Sequence, residues 1–337
     1  MIDNNITTTV DITQKSKSLT DDLSFVSQNI LVYLPLIFFI FGLLGFIGNI
    51  FTYLQPQLCS NTCCIYSLCG SFIDIINLSI NLFLNYLSVK YGLNMFSSSG
   101  LCKFSIFLMS FFPYLSISFL CMAIIDRFAI TCDHTSPFRR ITQLRIVPCM
   151  IGLTILISFL FQLYAPLNHG LDPIIGCASK NPTLTSIVYI IFSGLLQPIT
   201  MITFVLLTYR NVRRSRERVG EVARTSGQNL RNQFIVTIFA QIVVTTFISM
   251  QWIIVYMYFT FTLNYPRTFI EFSIVFFVFG LSNNLYYLNN VKAFYISLLT
   301  SRVFRKAFVG GLNNLYRRYI RHQMNVSTVN PNTQTRN

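Results

Sequence analysis

One apolar stretch, Cys102–Phe128, reads CKFSIFLMSFFPYLSISFLCMAIIDRF and carries two opposite charges, Asp126 and Arg127, at its end. At ~1.5 Å of rise per residue, a helix places Cys102 roughly 37 Å from Arg127, which exceeds the ~30 Å hydrocarbon core of a bilayer. Charges at a membrane boundary are costly, so they are retained where function requires them. The stretch predicts a membrane-spanning helix with a cysteine at one face and an acid–arginine pair at the other.

The composition is that of a membrane protein. Hydrophobic residues make up 53% of the 337-residue chain and charged residues 11%, and the mean hydropathy is +0.56. A soluble domain usually carries about 25% charged residues. A net charge of +14 is typical of nucleic-acid binders, but here the basic residues lie between apolar blocks rather than along one soluble face. We therefore expect no nucleic-acid partner.

Seven apolar stretches reach the ~17–25 residues that a membrane-spanning helix needs. They are Ile30–Leu54, Cys63–Leu87, Lys103–Ile125, Ile146–Leu167, Leu184–Tyr209, Phe234–Leu263 and Phe269–Leu288. We predict an all-α membrane protein with a seven-transmembrane helix bundle over residues 30–300. Residues 1–29 form a polar N-terminal tail, and residues 301–337 hold a short amphipathic eighth helix near Phe304–Phe308 and a C-terminal tail.

The basic residues predict the orientation. With the N-terminus outside, six of the 25 Lys and Arg residues fall on the outer side and the remaining nineteen on the inner side. Seven of the inner ones are arginines between Arg210 and Arg231. Because positively charged loops stay in the cytoplasm, we predict a multi-pass plasma-membrane protein with an extracellular N-terminus and a cytoplasmic C-terminus. Asn5 then starts a glycosylation acceptor, Asn-Ile-Thr, on the outer side.

The nine cysteines divide by compartment. Cys102 and Cys177 fall on the oxidising outer side, the first at the start of a span and the second in a loop. A disulfide between them would pin that loop over the end of the helix bundle. The other seven fall within spans or on the inner side, where we expect small buried hydrophobes and no metal site.

Several of these features resemble a rhodopsin-like (class A) G-protein-coupled receptor. The triplet Asp126-Arg127-Phe128 is similar to the signature at the end of the family's third helix, with phenylalanine in place of the usual tyrosine. The pair Cys102 and Cys177 is similar to the bridge that most of these receptors share. The Cys-x-x-Tyr start of helix two, Cys63–Tyr66, resembles the Arg-Phe-amide-receptor-like branch of invertebrate neuropeptide receptors.

The resemblance implies a receptor, and no enzyme, that binds an extracellular ligand and activates a heterotrimeric G protein. Asp126 would hold Arg127 in the inactive bundle, and a released Arg127 would meet the inserted G-protein helix. An arrestin and membrane lipid are the further implied partners. Residues 228–233, at the base of helix six, contain no acid, so the family's lock on Arg127 cannot form and activation should have a low barrier. An interfacial anchor is the alternative interpretation of the charged pair.

Three polar residues within the predicted spans resemble the family's polar core. Asn49 follows Gly48 in helix one, Asp74 is the only acid in helix two, and Ser116 lies eleven residues before Arg127. Meeting near the bundle centre, they would form a small cavity for an allosteric sodium ion, the one cofactor that we consider. Interhelical hydrogen bonding among the three is the alternative.

Other motifs resemble the family in part. Pro198 fits the helix-breaking proline of helix five, and Trp252, the sole tryptophan, stands where helix six carries a rotamer-switch tryptophan. Ile254 replaces the proline expected two residues later, which predicts a straighter helix six. The Asn-Pro-x-x-Tyr element of helix seven is absent, although Asn289-Asn290 and Phe294-Tyr295 stand nearby.

The expected ligand is a peptide. Met109 stands where amine receptors carry an aspartate, so a cationic amine lacks its anchor. An opsin needs a lysine in the middle of helix seven, whereas Lys292 is expected near the inner end as a snorkelling anchor. Asp172 and Glu271 on the outer rim suit a ligand arginine, with solvated loop charges as the alternative. We assign Met109, Trp252, Asp172 and Glu271 to the ligand site.

Two alternatives stay open. A receptor of the same fold could take a non-peptide ligand. A multi-span transporter should show internal repeats or broken helices with ionisable groups at the midplane, and only Asp74 is a clear intramembrane charge. Guanine-nucleotide-sensitive ligand binding indicates a receptor, whereas ion-coupled flux indicates a transporter.

Overall fold

The computed structural model describes residues 31–56, 58–91, 98–132, 136–172, 176–219, 226–262 and 265–328. Within them, seven helical segments are long and apolar enough to cross a membrane. We call them spans 1 to 7: Val32–Tyr53, Thr62–Phe83, Ser99–Thr131, Val147–Asn168, Pro182–Arg214, Ile235–Phe261 and Phe269–Tyr286. Each overlaps one of the apolar stretches predicted from the sequence, so the multi-span helical fold is confirmed. The predicted tail over residues 1–29, with Asn5, lies outside the described residues.

Span 3 lies at the centre of the bundle and packs most extensively against span 2. Its buried side chains, such as Phe119, form one apolar core with Met201 of span 5 and Ile242 of span 6. Apolar side chains also cover the outward faces, where Leu44 and Phe247 are exposed. An exposed apolar surface around a polar-bonded interior is expected of a helix bundle in lipid.

Spans 2 and 5 each contain a π-helical segment. Span 2 and its continuation run as Thr62–Asn77, the π-helical Leu78–Phe83 and Leu84–Tyr91. Span 5 runs as Pro182–Tyr189, the π-helical Ile190–Leu196 and Gln197–Val219. Pro198 lies two residues after the end of that second π-helical segment and has no amide hydrogen, so it frees the carbonyl group of Gly194 and the helix widens there.

Span 6 belongs to one unbroken helix, Ser226–Phe261, as expected without a proline at Ile254. Span 7 breaks at Tyr287 and continues as a second helix, Leu288–Thr300, which we call the span 7 extension. The sequence predicts the end of span 7 at Leu288, within two residues of the observed end at Tyr286. The sequence did not predict the second helix, whose asparagine amides bond inside the bundle. Next comes Arg302–Thr328, a longer helix than the short eighth helix predicted.

The two ends of the bundle differ in structure. At one end, β1 (His169–Asp172) and β2 (Gly176–Ser179) form an antiparallel hairpin with Leu171 opposite Cys177. A disulfide joins Cys177 to Cys102 of span 3, and we call this the disulfide end. The opposite end holds Asp126 and Arg127, and we call it the arginine end. Span 4, which consists of Val147–Gln162 and Tyr164–Asn168, follows a 3₁₀ helix at the arginine end, Pro137–Thr142.

Candidate functional site

Asp126 and Arg127 are buried at the arginine end. Their side chains are 0% and 6% exposed, and Arg127 Nη2 lies 3.5 Å from Asp126 Oδ2. Removing two charges from water costs free energy. The attraction between them offsets that cost only when the pair is close and its remaining donors and acceptors are also bonded. The residues that supply those bonds are therefore part of the site.

The first turn of span 2 supplies bonds to both residues. Thr62 donates its hydroxyl hydrogen to Asp126 Oδ1 at 2.6 Å, and Arg127 Nη2 donates to Asn61 Oδ1. The same Asn61 oxygen accepts the Cys63 amide at 3.2 Å, so Asn61 is also the N-cap of span 2. We call Asn61, Thr62, Asp126 and Arg127 the arginine clamp. One two-residue segment thus begins span 2 and fixes the charged pair of span 3.

Sequence reasoning identified half of the arginine clamp. Asp126 and Arg127 stand out as charges in an apolar stretch, whereas Asn61 and Thr62 are ordinary polar residues before one. The signal that could have found them is the preference for asparagine at a helix N-cap. The third predicted coupling residue, Phe128, packs edge-on against Phe138 at 5.8 Å and Phe204 at 5.4 Å between ring centroids.

An apolar cavity of about 420 Å³ lies beside Arg127, between spans 3, 5 and 6. Val205 of span 5 and Ile238 and Phe239 of span 6 line it, and Arg127 is the charged residue in its wall. Cavities of ~300–1,000 Å³ accommodate organic ligands or parts of a partner protein. We call it the apolar cavity.

Hydrogen bonds between uncharged groups join span 6 to the span 7 extension and to the helix that follows the extension. Gln233, Thr237 and Gln241 are spaced four residues apart and lie on one face of the span 6 helix. Their partners are the Val303 amide, the Thr300 hydroxyl and the Ser297 hydroxyl, each at 3.0 Å. Gln233, Thr237 and Gln241 all lie on the helix that contains span 6, Ser226–Phe261, and we call them the span 6 ladder.

A second cavity, of about 50 Å³, lies between spans 1, 2, 3 and 6 and the span 7 extension. Asp74 lines it, and its Oδ1 accepts hydrogen bonds from the Ser116 hydroxyl and, at 2.6 Å, from the Asn290 amide. Asn290 Oδ1 in turn accepts the Asn77 amide at 3.0 Å. We call it the polar cavity.

The polar cavity differs from the predicted trio in two residues. Asn49 donates its amide to Ser71 Oγ at 2.8 Å, because it faces span 2 about one turn before Asp74. Lys292, expected at the inner end, lines the polar cavity because the helix continues to Thr300 beyond it. Its Nζ donates to the carbonyl oxygen and the Oδ1 of Asn289, at 3.0 and 2.7 Å.

Two of the residues assigned to ligand binding lie inside the bundle. Trp252 is buried; its Nε1 donates to the Tyr189 hydroxyl at 2.8 Å, and its ring packs against Phe279 at 5.2 Å. Met109 is half-buried on span 3, and its carbonyl oxygen accepts the Asn81 amide at 3.4 Å. Both belong to polar and aromatic contacts that join spans.

The other two ligand-site residues lie at the disulfide end. Glu271 is exposed and forms a capping box with Thr268, its Oε2 accepting the Thr268 amide at 3.0 Å. The backbone of Asp172 pairs with Gly176 in the hairpin, and its side chain lies outside the described part of the structure. The capping role of Glu271 was readable from the Thr-x-x-Glu spacing.

A basic residue is also held among aromatic rings at the disulfide end. Lys90 Nζ lies 5.7, 5.4 and 5.9 Å from the ring centroids of Tyr33, Tyr86 and Tyr91. The Tyr86 hydroxyl accepts a hydrogen bond from Lys90 at 2.9 Å, which raises the pKa of the lysine. These contacts join span 1 to the continuation of span 2.

The buried groups at the two cavities are suited to charge pairing and hydrogen bonding between helices. Within the described ranges, no three His, Cys, Asp or Glu side chains are grouped to hold a metal ion. Comparison with protein-family models gives no match to the chain, and a search of curated proteins gives none either.

Proposed function

We propose that the chain is a rhodopsin-like G-protein-coupled receptor of the plasma membrane, which binds an extracellular peptide and activates a heterotrimeric G protein. The observation that carries the proposal is the arginine clamp beside the apolar cavity. A buried arginine held by bonds to span 2 stands next to an open volume between spans 3, 5 and 6.

The geometry supports a partner that enters at the arginine end. A helix leaves its last four carbonyl groups unsatisfied at its C-terminus, and a guanidinium offers five donors in a rigid fork. If span 6 moves away from span 3, the apolar cavity widens, and Arg127 becomes the donor nearest to an inserted helix. Apolar walls would accept the helix side chains while Arg127 bonds its terminal carbonyls.

Contacts elsewhere in the bundle also support a receptor. Asp74 of span 2 bonds Asn290 of the span 7 extension, which lies four residues before Phe294. That spacing is the one between asparagine and tyrosine in the Asn-Pro-x-x-Tyr element. The ring of Phe294 packs against Gly48, where any added side chain would overlap it. Residues 290–294 thus take the position of the Asn-Pro-x-x-Tyr element, with Val291 in place of proline and Phe294 in place of tyrosine.

A peptide is the ligand class that the disulfide end supports best. The disulfide ties the hairpin to span 3, and Lys90, Arg267 and Glu271 place charges of both signs around it. An Arg-Phe-amide-like peptide would present a cation and an aromatic ring to these groups. The distribution of basic residues supports an extracellular disulfide end and a cytoplasmic arginine end.

The helix Arg302–Thr328 fits a position along the inner leaflet. Apolar Leu312 and Leu315 are exposed on a helix that also carries Arg302, Arg305 and Lys306. Apolar side chains at the acyl boundary and basic ones at anionic headgroups are the pattern of an interfacial helix. Such a helix would also border the surface that a G protein or an arrestin contacts.

The test is guanine-nucleotide exchange on a panel of G proteins, driven by a library of amidated peptides. We expect a peptide response in the wild type that Arg127→Ala abolishes at equal surface expression. Arg140→Ala, which removes an exposed arginine at the same end, is the matched control and should respond as the wild type does. A response that survives in Arg127→Ala, or ion-coupled flux in proteoliposomes without exchange, contradicts the proposal.

A further inference from the structure

We propose that Lys292 is a built-in counter-ion for Asp74, so that the polar cavity functions without a sodium ion. Asp74 and Lys292 line the same cavity of about 50 Å³ from opposite elements, span 2 and the span 7 extension. Asp74 is buried and Lys292 half-buried. The inference concerns this cavity and stands whether or not the chain is a receptor.

The hydrogen bonds leave each charged group one direction free toward the cavity. A lysine ammonium has three donors, and Asn289 takes two of them. Ser116 and Asn290 both bond Oδ1 of Asp74, which leaves Oδ2 for the cavity. A cavity of this size has room for water that connects the third ammonium hydrogen to Oδ2. A carboxylate in a membrane interior requires such a partner because an isolated charge is costly there.

The residues present do not fit a sodium ion. Sodium needs several oxygen ligands, yet Asn290 presents its amide nitrogen to Asp74 because Asn77 bonds its oxygen. Asn49, the remaining predicted ligand, is not among the residues that line the cavity, and its amide nitrogen bonds Ser71 instead. The ammonium of Lys292 adds like-charge repulsion, which is strong in a low-dielectric interior. The same cavity therefore satisfies an ammonium and repels a second cation.

One consequence is that the net charge of the cavity is fixed by the chain. Where a mobile ion supplies the positive charge, changing its concentration shifts the equilibrium between conformations that bind it differently. With Lys292 in that role, the stability of the bundle should not respond to sodium beyond the effect of ionic strength.

The experiment is thermal unfolding of the full-length protein in nanodiscs, in sodium chloride and in N-methylglucamine chloride of equal ionic strength. We expect the wild type to unfold at the same temperature in both salts. Lys292→Met should unfold several degrees lower in N-methylglucamine, and sodium should recover part of that loss, because the unpaired carboxylate then attracts a mobile cation. Lys292→Arg, which keeps a cation, should match the wild type in both salts.

A double-mutant cycle with Asp74→Asn completes the test. We expect the loss in Asp74→Asn with Lys292→Met to be smaller than the sum of the single losses, since both charges leave together. Additive losses would overturn the proposal, as would a sodium-specific stabilisation of the wild type that Asp74→Asn removes. If Lys292→Met does not fold, the unfolding temperatures of the wild type and the double variant can still be compared between the two salts. Unfolding is read without ligand or G protein, so failure here is distinct from failure of the proposed function.

Discussion

The disulfide end and the arginine end are held together by different kinds of contact. At the disulfide end, a covalent bond joins the hairpin to span 3, and rings around Trp252 pack spans 5, 6 and 7 together. At the arginine end, spans 2 and 3 share the arginine clamp, and span 6 is held by the neutral bonds of the span 6 ladder. Hydrogen bonds to charged groups contribute about 1.5–3 kcal/mol and neutral ones about 0.5–1.5. At the arginine end, span 6 is therefore held by weaker bonds than those that join spans 2 and 3.

The proposed receptor function would use this difference. In a receptor, a signal from one end changes the other end, so the contacts there need two arrangements of similar free energy. The arginine clamp gives spans 2 and 3 a fixed frame, and the apolar cavity gives span 6 a direction in which to move. Substitutions in the frame should therefore change mainly the stability of the protein. Substitutions that loosen span 6 should change mainly its basal activity.

The largest expected effect is in the arginine clamp. Asp126→Ala leaves the Arg127 guanidinium buried without its acid, and breaking a buried pair in this way costs about 3–5 kcal/mol. We expect a matching fall in the free energy of unfolding, measured by denaturant titration in micelles. Asp126→Asn, which can still accept the Thr62 hydroxyl, should lose less. Equal, small losses in both variants would show that the clamp contributes little to the frame.

The disulfide end should lose nearly as much when its covalent bond is removed. The bond closes a loop over a sequence separation of 75 residues, and removing such a bond typically costs about 2–5 kcal/mol. Cys102→Ser should therefore lower the unfolding free energy and the amount of protein at the cell surface. The control is Cys149→Ser, which removes an exposed free cysteine and should behave as the wild type. A stable, well-expressed Cys102→Ser would mean that ring packing alone holds this end.

The span 6 ladder should respond in activity more than in stability. Gln241→Leu removes the bonds to Ser297 and Ala293, a loss of about 0.5–1.5 kcal/mol per neutral bond, and should raise basal guanine-nucleotide exchange. Gln251→Leu is the control, because Gln251 bonds Ser282 of span 7 in the disulfide half. It removes one bond rather than two, so it should cost less stability, and it should not raise basal exchange. Equal basal exchange in the two variants would remove the distinction between the ends.

How far the sequence predicts this molecule depends on whether a property is local. Apolar length is local, and it predicted all seven spans; Asp126-Arg127 is also local, because charges are conspicuous in an apolar stretch. The span 7 extension was not predicted, because Asn289 and Asn290 are polar residues whose bonding partners come from other spans. The position of Lys292 in the polar cavity follows from that missed helix, so no local pattern could have indicated it. The bonding partners of buried polar groups depend on the tertiary structure, so a local sequence pattern does not reveal them.

The smallest expected effect on stability is at Glu271. Substitutions there distinguish its role in capping the helix from its proposed role in binding the ligand. Glutamine also completes a capping box, so Glu271→Gln should leave the unfolding free energy close to that of the wild type. Peptide potency should fall by no more than about fivefold, because an exposed ion pair contributes little to binding. Thr268→Ala is the converse control: it removes the cap and keeps the charge, so stability should fall by about 1 kcal/mol with potency unchanged. Full potency in Glu271→Gln would assign Glu271 to the cap alone and move the ligand contact elsewhere at the disulfide end.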